Sequence, residues 1–174
     1  MRKFRGGFVL GMALLLAMST IAMPSASAMT PHSETKKNTY AYSFATKTVN
    51  GATFQGHALA GKPSVLWFWA PWCAICRGEA PDLVALAKSF KGRVNILGVA
   101  GLGSVKDMKG FVSDTRTSGF THVADTSGAV WSHFGIVSQP SFVFVTKSGI
   151  MYKKVGSLSK ADLFAFTNEI IKKV

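Results

Sequence analysis

The chain of 174 residues contains two cysteines, Cys73 and Cys76, with two residues between them. They follow a strongly apolar stretch and begin a stretch with helical periodicity. Side chains at positions i and i+3 of a helix lie on one face, about 5–6 Å apart, a separation that a disulfide can span. A thiol at a helix start also faces unpaired N–H groups and the positive end of the helix dipole, which stabilise the nucleophilic thiolate. The spacing therefore predicts reversible thiol–disulfide chemistry, with the pair itself as the redox group and no other cofactor.

Other uses of a cysteine pair are less consistent with this sequence. A structural disulfide across three residues closes a very short loop, so it constrains the unfolded chain little. Zinc usually takes four ligands, and the histidines are scattered along the chain: His32, His57, His122 and His133. We therefore predict no metal site, and a copper chaperone that uses both thiolates is the alternative from the class of binding proteins.

The N-terminal region has the features of a secretory signal. Three basic residues among the first five precede an apolar run over 8–18, and Ala26-Ser27-Ala28 supplies small residues for cleavage. We predict a signal peptide at 1–28, a polar linker at 29–39 and one domain at 40–174. The expected location is secreted or in the cell envelope, and an uncleaved N-terminal anchor is the alternative.

The formal net charge is +12 at pH 7, and the lysines are spread along the chain. Such spacing is typical of solvated surfaces that keep a protein soluble. No nucleic-acid motif accompanies the charge, so nucleic acid is not a predicted partner. The length suits one ordinary domain, which we expect to be a monomer.

The apolar pattern predicts alternating strands and helices. Tyr40–Val49 alternates as a half-buried strand does, and Asn50-Gly51 predicts a tight turn to a short partner at 52–54. Ser64–Ala70 is almost continuously apolar, as expected of a central strand covered on both faces. Further elements are expected in this order: a helix at 73–90, a strand at 93–100, helices at 105–115 and 127–134, strands at 141–146 and 150–155, and a helix at 159–172.

This order predicts an α/β fold: a mixed central sheet flanked by helices, with an extra N-terminal β-hairpin. The thiols then lie at the carboxyl end of a central strand, where open α/β sheets place their sites.

The run Trp69-Ala70-Pro71-Trp72-Cys73-x-x-Cys76, with Gln139-Pro140 before a distant strand, resembles the thioredoxin superfamily. Glu79-Ala80-Pro81 is similar to its exported TlpA/ResA/DsbE branch, and the combination looks like the secreted DsbE-like oxidoreductases of actinobacteria. The resemblance extends over roughly 40–174. It implies a thioredoxin-like sandwich.

The resemblance also implies roles for individual residues. Cys73 would be the attacking thiol and Cys76 the resolving thiol. Pro140 would follow a cis peptide bond, and Gln139 would present its backbone to a substrate polypeptide.

Two further residues are implied to shape the site. Glu79 would lie near the cysteines as a proton acceptor for Cys76; the alternative is an exposed carboxylate favoured by the helix dipole. Trp72 would pack beside the site and offer substrates an apolar surface. The strand before the cysteines, Ser64–Ala70, has no carboxylate in place of the buried acid of cytosolic thioredoxin.

The implied function is an exported thiol–disulfide oxidoreductase that exchanges disulfides with the cysteines of secreted proteins, and we expect an oxidant regenerated by a membrane redox partner. One alternative is a TlpA/ResA-type reductant for cytochrome c maturation. Another is a thiol peroxidase, against which the chain lacks a Pro-x-x-x-Thr-x-x-Cys loop.

Overall fold

The computed structural model describes residues 39–173. The predicted signal peptide and all but the last residue of the predicted linker lie outside this range. The strands are β1 (Ala45–Thr48), β2 (Thr53–Gln55), β3 (Ser64–Trp69), β4 (Asn95–Ala100), β5 (Thr121–Ala124), β6 (Ser141–Val145) and β7 (Met151–Val155). The α-helices are α1 (Ala74–Ser89), α2 (Val105–Asp114), α3 (Ala129–His133) and α4 (Lys160–Lys172), and short 3-10 helices cover Tyr40–Tyr42 and Gly56–Leu59. None of the helices between residues 39 and 173 has the length and apolar character to cross a membrane.

The seven strands form one sheet in the order β2-β1-β5-β4-β3-β6-β7. β3 lies inside the sheet, parallel to β4 and antiparallel to β6. All six of its residues are buried, as its nearly continuous apolar sequence predicts. The mixed sheet, the flanking helices and the N-terminal hairpin of β1 and β2 confirm the predicted fold class.

Alternate residues of β3 enter two separate apolar layers. Trp67 and Trp69 pack on one face of the sheet against α1, α2 and α4, and the indole of Trp69 stacks on Phe111 with ring centroids 4.2 Å apart. Leu66 and Phe68 pack on the opposite face against α3 and the 3-10 helices. The central strand thereby anchors both layers, and it leads directly to the cysteine pair.

Three elements differ from the sequence prediction, and one of them is the 3-10 helix at Gly56–Leu59, where no helix was predicted. Tyr40–Tyr42 is a 3-10 helix and not the start of a strand, because Tyr40 stacks on His133 at 4.3 Å and exchanges hydrogen bonds with its backbone and ring. β5 was not predicted at all. It is only four residues long, and its position depends on pairing with β4 on one side and β1 on the other.

Candidate active site

Cys73 is the N-cap of α1. Its backbone is extended, and its Sγ accepts the backbone N–H of Cys76 at 3.0 Å. The sulfur thus takes the place of the side-chain oxygen that usually caps a helix. The two cysteines form a disulfide with their Cα atoms 5.3 Å apart. The arrangement directs a helix-start N–H group at the sulfur that would carry the charge of a thiolate.

The two sulfurs differ in access. Cys76 lies on the inner face of α1 and is fully buried, whereas the exposed fraction of Cys73 is 6%. Ile75, between them, is 59% exposed. A reagent in solution therefore meets Cys73 first; the role of Cys73 as the attacking thiol stays a prediction.

Glu79 lies one turn beyond Cys76 on the same inner face of α1 and is only 6% exposed. Its carboxylate accepts the backbone N–H of Leu158 at 3.1 Å and the indole N–H of Trp67 at 3.3 Å. Burial raises the pKa of Glu79 above its ordinary value, while these hydrogen bonds oppose the rise. The alternative of an exposed carboxylate is therefore wrong. The i, i+3 spacing from Cys76 was the available sequence signal.

Trp72 projects from the turn before α1 and is 63% exposed. Its indole N–H donates to the carbonyl oxygen of Leu102 at 2.8 Å. Leu102, in the loop after β4, has a left-handed backbone with φ of 55° and is 57% exposed. Sequence reasoning missed Leu102; the only signal was a leucine between two glycines.

The Gln139–Pro140 peptide bond is cis. Pro140 directly precedes β6, whose first residue, Ser141, pairs with Phe68 near the end of β3. The bond therefore lies at the same edge of the sheet as Cys73. The preceding loop is held by a hydrogen bond from the Ser141 hydroxyl to the carbonyl of Ser138, 2.7 Å long.

Arg77, one residue beyond Cys76, is turned away from the disulfide. Its guanidinium lies 4.9 Å from the ring centroid of Phe111 and pairs with Asp114 at 3.4 Å. It is half exposed, with a side-chain exposure of 46%.

His122 on β5 borders the layer behind the site and is only 3% exposed. Its Nε2 contacts the carbonyl oxygen of Thr117 at 3.0 Å, and burial lowers its pKa to about 4. Gly98 leaves room for this ring, because a Cβ there would lie 2.1 Å from Nδ1 of His122. Nδ1 of His122 and Nε1 of Trp69 are the buried side-chain polar atoms of residues 39–173 that have no hydrogen-bond partner.

No group of three or more His, Cys, Asp or Glu side chains in the described part of the chain is arranged to hold a metal ion. The cysteine pair, with Glu79 beneath it and the Gln139–Pro140 bond at the same sheet edge, brings together a disulfide, a buried carboxylate and a cis peptide bond.

The AhpC/TSA family matches the chain over residues 38–154. The soluble secreted antigen MPT53 of Mycobacterium tuberculosis is 41% identical over 106 residues, which cover 61% of this chain and 60% of MPT53. The alignment thus spans about three fifths of the length of this relative.

Two solved structures match over nearly their whole length. MTB DsbF, in mixed oxidised and reduced forms, has 41% identity and a TM-score of 0.73, over 75% of this chain and 97% of its own. A secreted Mycobacterium tuberculosis disulfide oxidoreductase homologous to E. coli DsbE has 33% identity and a TM-score of 0.70, over 76% and 98%. The chain therefore belongs to the AhpC/TSA family and, within the thioredoxin-like superfamily, resembles its DsbE-like members.

Proposed function

We propose that this protein is an exported thiol–disulfide oxidoreductase that donates disulfides to secreted proteins, with Cys73–Cys76 as its only redox group. The observation that carries the proposal is the position of Cys73: it caps α1, accepts a helix-start N–H and is the more accessible sulfur. One relative is described as a disulfide oxidoreductase, which supports the proposed reaction. Two relatives are described as secreted, which supports the proposed export.

The reaction proceeds by two exchanges. A substrate thiolate attacks Sγ of Cys73, the bond to Cys76 breaks, and the sulfur of Cys76 leaves with the electron pair and takes up a proton. A second substrate thiolate then attacks the substrate sulfur of the mixed disulfide and releases Cys73 as a thiolate. The substrate loses two electrons, and the cysteine pair gains them. Of the two protons that the substrate thiols release when they ionise, Cys76 takes up the equivalent of one and the other goes to solvent, because Cys73 leaves as a thiolate.

Glu79 is proposed to exchange this proton with Cys76. Both residues lie on the buried face of α1, one turn apart, where water has little access. Because burial raises the pKa of Glu79, its protonated form persists closer to neutral pH than that of an exposed glutamate. It then has a proton to donate when Cys76 leaves, and it can accept one in the reverse direction.

The direction follows from the relative stability of the two redox forms. Stabilisation of the Cys73 thiolate favours the reduced pair, and a stable reduced pair makes the disulfide a stronger oxidant. The N–H group of Cys76 and the positive dipole at the start of the sixteen-residue helix α1 both stabilise the Cys73 thiolate, and so favour a more oxidising disulfide.

The substrate chain is proposed to lie beside the Gln139–Pro140 bond and against the exposed indole of Trp72. Exported proteins with cysteines are the proposed substrates. Continued turnover requires reoxidation of the Cys73–Cys76 pair, for which a membrane redox partner is proposed. The protein is proposed to act as a monomer.

The decisive experiment is equilibration of the Cys73–Cys76 pair with glutathione buffers, with the fraction of free thiols measured by alkylation. A reduction potential of roughly −120 to −180 mV is expected for a disulfide donor. A value near −250 mV or below would contradict the oxidant and indicate a TlpA/ResA-type reductant. Cys73→Ser is the control, since it cannot form the disulfide.

A further inference from the structure

A large cavity lies at the edge of the sheet opposite the cysteine pair. Its volume is about 800 Å³, and its walls are one face of α2, the turn between β1 and β2, and the segment at 118–122 that leads into β5. Because β3, β4 and β5 are parallel, the start of β5 lies at the edge where β3 begins, whereas Cys73 follows β3 at the other edge. The cavity is therefore separate from the active site.

The cavity is positively charged. Its walls include Lys109 and Arg116, which lie about two helical turns apart on the same face as Val112 and Ser113. None of the wall residues, all of which lie within residues 39–173, is acidic. Neither Lys109 nor Arg116 takes part in a salt bridge within this range. Two cations thus share one cavity, which we call the basic pocket, without a carboxylate from its walls.

Arg116 occupies a backbone position that favours glycine. The helix α2 ends in a Schellman motif, in which the N–H of Arg116 donates to the carbonyl of Ser113 and the N–H of Thr117 donates to the carbonyl of Val112, both at 3.1 Å. The φ of Arg116 is 57°, in the left-handed region. Glycine is usual at this position because it has no Cβ to clash. The arginine is therefore retained at a cost in conformational energy.

The helix end does not account for this arginine. A cation after a helix can stabilise it by binding free carbonyl groups of the last turn. The carbonyl groups of Phe111, Val112 and Ser113 already accept backbone N–H groups of the turn that follows. Arg116 is also exposed, so its side chain does not stabilise the core. A need for positive charge in the basic pocket accounts for both the residue type and its position.

We propose that the basic pocket binds a phosphate monoester. The guanidinium of Arg116 can donate two parallel N–H groups to phosphate oxygens, and Lys109 supplies a second charge. Two cations match the nearly double negative charge of a monoester at pH 7, whereas a carboxylate carries a single charge. Wall hydroxyls of Ser113 and Ser118 can donate to the remaining oxygens, and Phe120 offers an apolar surface to the rest of the ligand.

The test is an NMR titration of the ¹⁵N-labelled protein with phenyl phosphate, in which the amide signals of residues 113–121 are followed. We expect saturable shifts with a dissociation constant of about 1 mM or lower. Arg116→Gly and Lys109→Gln should each weaken binding by about ten-fold, because each removes a charged contact. Benzyl alcohol, which has the ring without the phosphate, should cause no such shifts. The absence of shifts at about 20 mM phenyl phosphate would overturn the inference.

Lys106→Gln is the matched control, since it removes the same charge from α2 at a position outside the walls of the basic pocket. Its affinity for phenyl phosphate should equal that of the wild type. Equal weakening by Lys106→Gln and Lys109→Gln would indicate attraction to the net charge alone and would overturn the inference.

The melting temperature of Arg116→Gly separates a binding role from a structural one. The variant should melt roughly 3 °C higher than the wild type, because glycine relieves the strain of the left-handed backbone. A lower melting temperature would show that Arg116 stabilises the fold, and would overturn the inference.

The source of the monoester is found with lipid vesicles. Cosedimentation with vesicles of phosphatidylcholine and about one fifth phosphatidic acid, but not with pure phosphatidylcholine, would support a lipid headgroup as the ligand. Binding of phenyl phosphate without vesicle binding would support a soluble ester. None of these measurements involves Cys73 or Cys76. Their failure would leave the proposed function standing, and failure of the glutathione equilibration would leave this inference standing.

Discussion

The two sides of the cysteine pair are built in opposite ways. On the inner side, Cys76, Glu79 and Trp67 are buried, and the carboxylate of Glu79 is held by two hydrogen bonds. On the outer side, Trp72 and Leu102 are each more than half exposed, and Leu102 has a strained, left-handed backbone.

The difference separates two tasks. Groups that control charge and protons benefit from burial, where electrostatic interactions are strong and solvent does not compete. Groups that recognise a partner must remain exposed until it binds, and strain in such loops is a recurring feature of functional sites. Changes on the inner side should therefore alter reaction chemistry and stability, whereas changes on the outer side should alter the choice of substrate.

The largest effect is expected from the cysteines themselves. Cys73→Ser should abolish exchange, while Cys76→Ser should accumulate mixed disulfides, because the thiol that resolves them is gone. Non-reducing gels after incubation with a disulfide-containing substrate would show the trapped adduct. If Cys73→Ser accumulated the adduct and Cys76→Ser did not, the inner sulfur would be the attacking one, and the comparison of the two sides would fail.

The second largest effect is expected from the protonation of His122 at low pH, which should lower the free energy of unfolding. Its folded-state pKa of about 4 lies below the ordinary 6.5, so the unfolded chain binds the proton first as pH falls. Stability should be intact above pH 6.5 and should decline toward pH 4, by about 3 kcal/mol from this group. Urea unfolding of the wild type and of His122→Gln across this range would measure it. His57→Gln, at an exposed histidine, is the control; an equal decline in wild type and His122→Gln would contradict the prediction.

Glu79→Gln should change both chemistry and the pH dependence of stability. Without a carboxyl group that exchanges a proton with Cys76, the exchange rate should fall by about ten-fold or more at neutral pH. Because burial raises the pKa of Glu79, the wild type is stabilised by protonation at low pH and loses this contribution as pH rises through the folded-state pKa. The variant should therefore gain stability relative to the wild type as pH rises above the ordinary pKa of a glutamate.

Stopped-flow exchange with dithiothreitol and urea unfolding at each pH would provide these two readouts for Glu79→Gln. Glu169→Gln, which removes a carboxylate from an exposed position of α4, is the matched control. A parallel pH dependence of stability in wild type and Glu79→Gln would argue against a buried glutamate that titrates on this side of the site.

The smallest effect is expected at Arg77, which is close to the cysteines in sequence but points outward. Its pair with Asp114 is exposed, so Arg77→Gln should change the free energy of unfolding by less than about 1 kcal/mol. The reduction potential should stay the same, because the guanidinium is engaged with Phe111 and Asp114. A clear shift in the glutathione equilibrium would show that the outer charge does reach the thiolate.

Comparison of the predicted and observed elements shows where sequence patterns suffice. The strand before the cysteines, the helix after them and the closing hairpin were predicted because their apolar periods and turn residues are local signals. The 3-10 helix at Tyr40–Tyr42 and the strand β5 were not predicted. The first depends on contact with His133, and the second depends on pairing with two neighbouring strands.

The sequence by itself determined the reactive pair: the Cys-x-x-Cys spacing at a helix start fixes two sulfurs within disulfide reach, and this geometry arises within one turn. Only the tertiary structure decided the surroundings of that pair. Glu79 is buried because β3 and the segment at Leu158, far apart in the chain, close over it. Trp131 and Pro71 lie where the Cβ atoms of larger residues at positions 101 and 103 would be, so glycine is needed on both sides of the exposed Leu102. Burial and confinement arise from residues distant in sequence, which local periodicity does not encode.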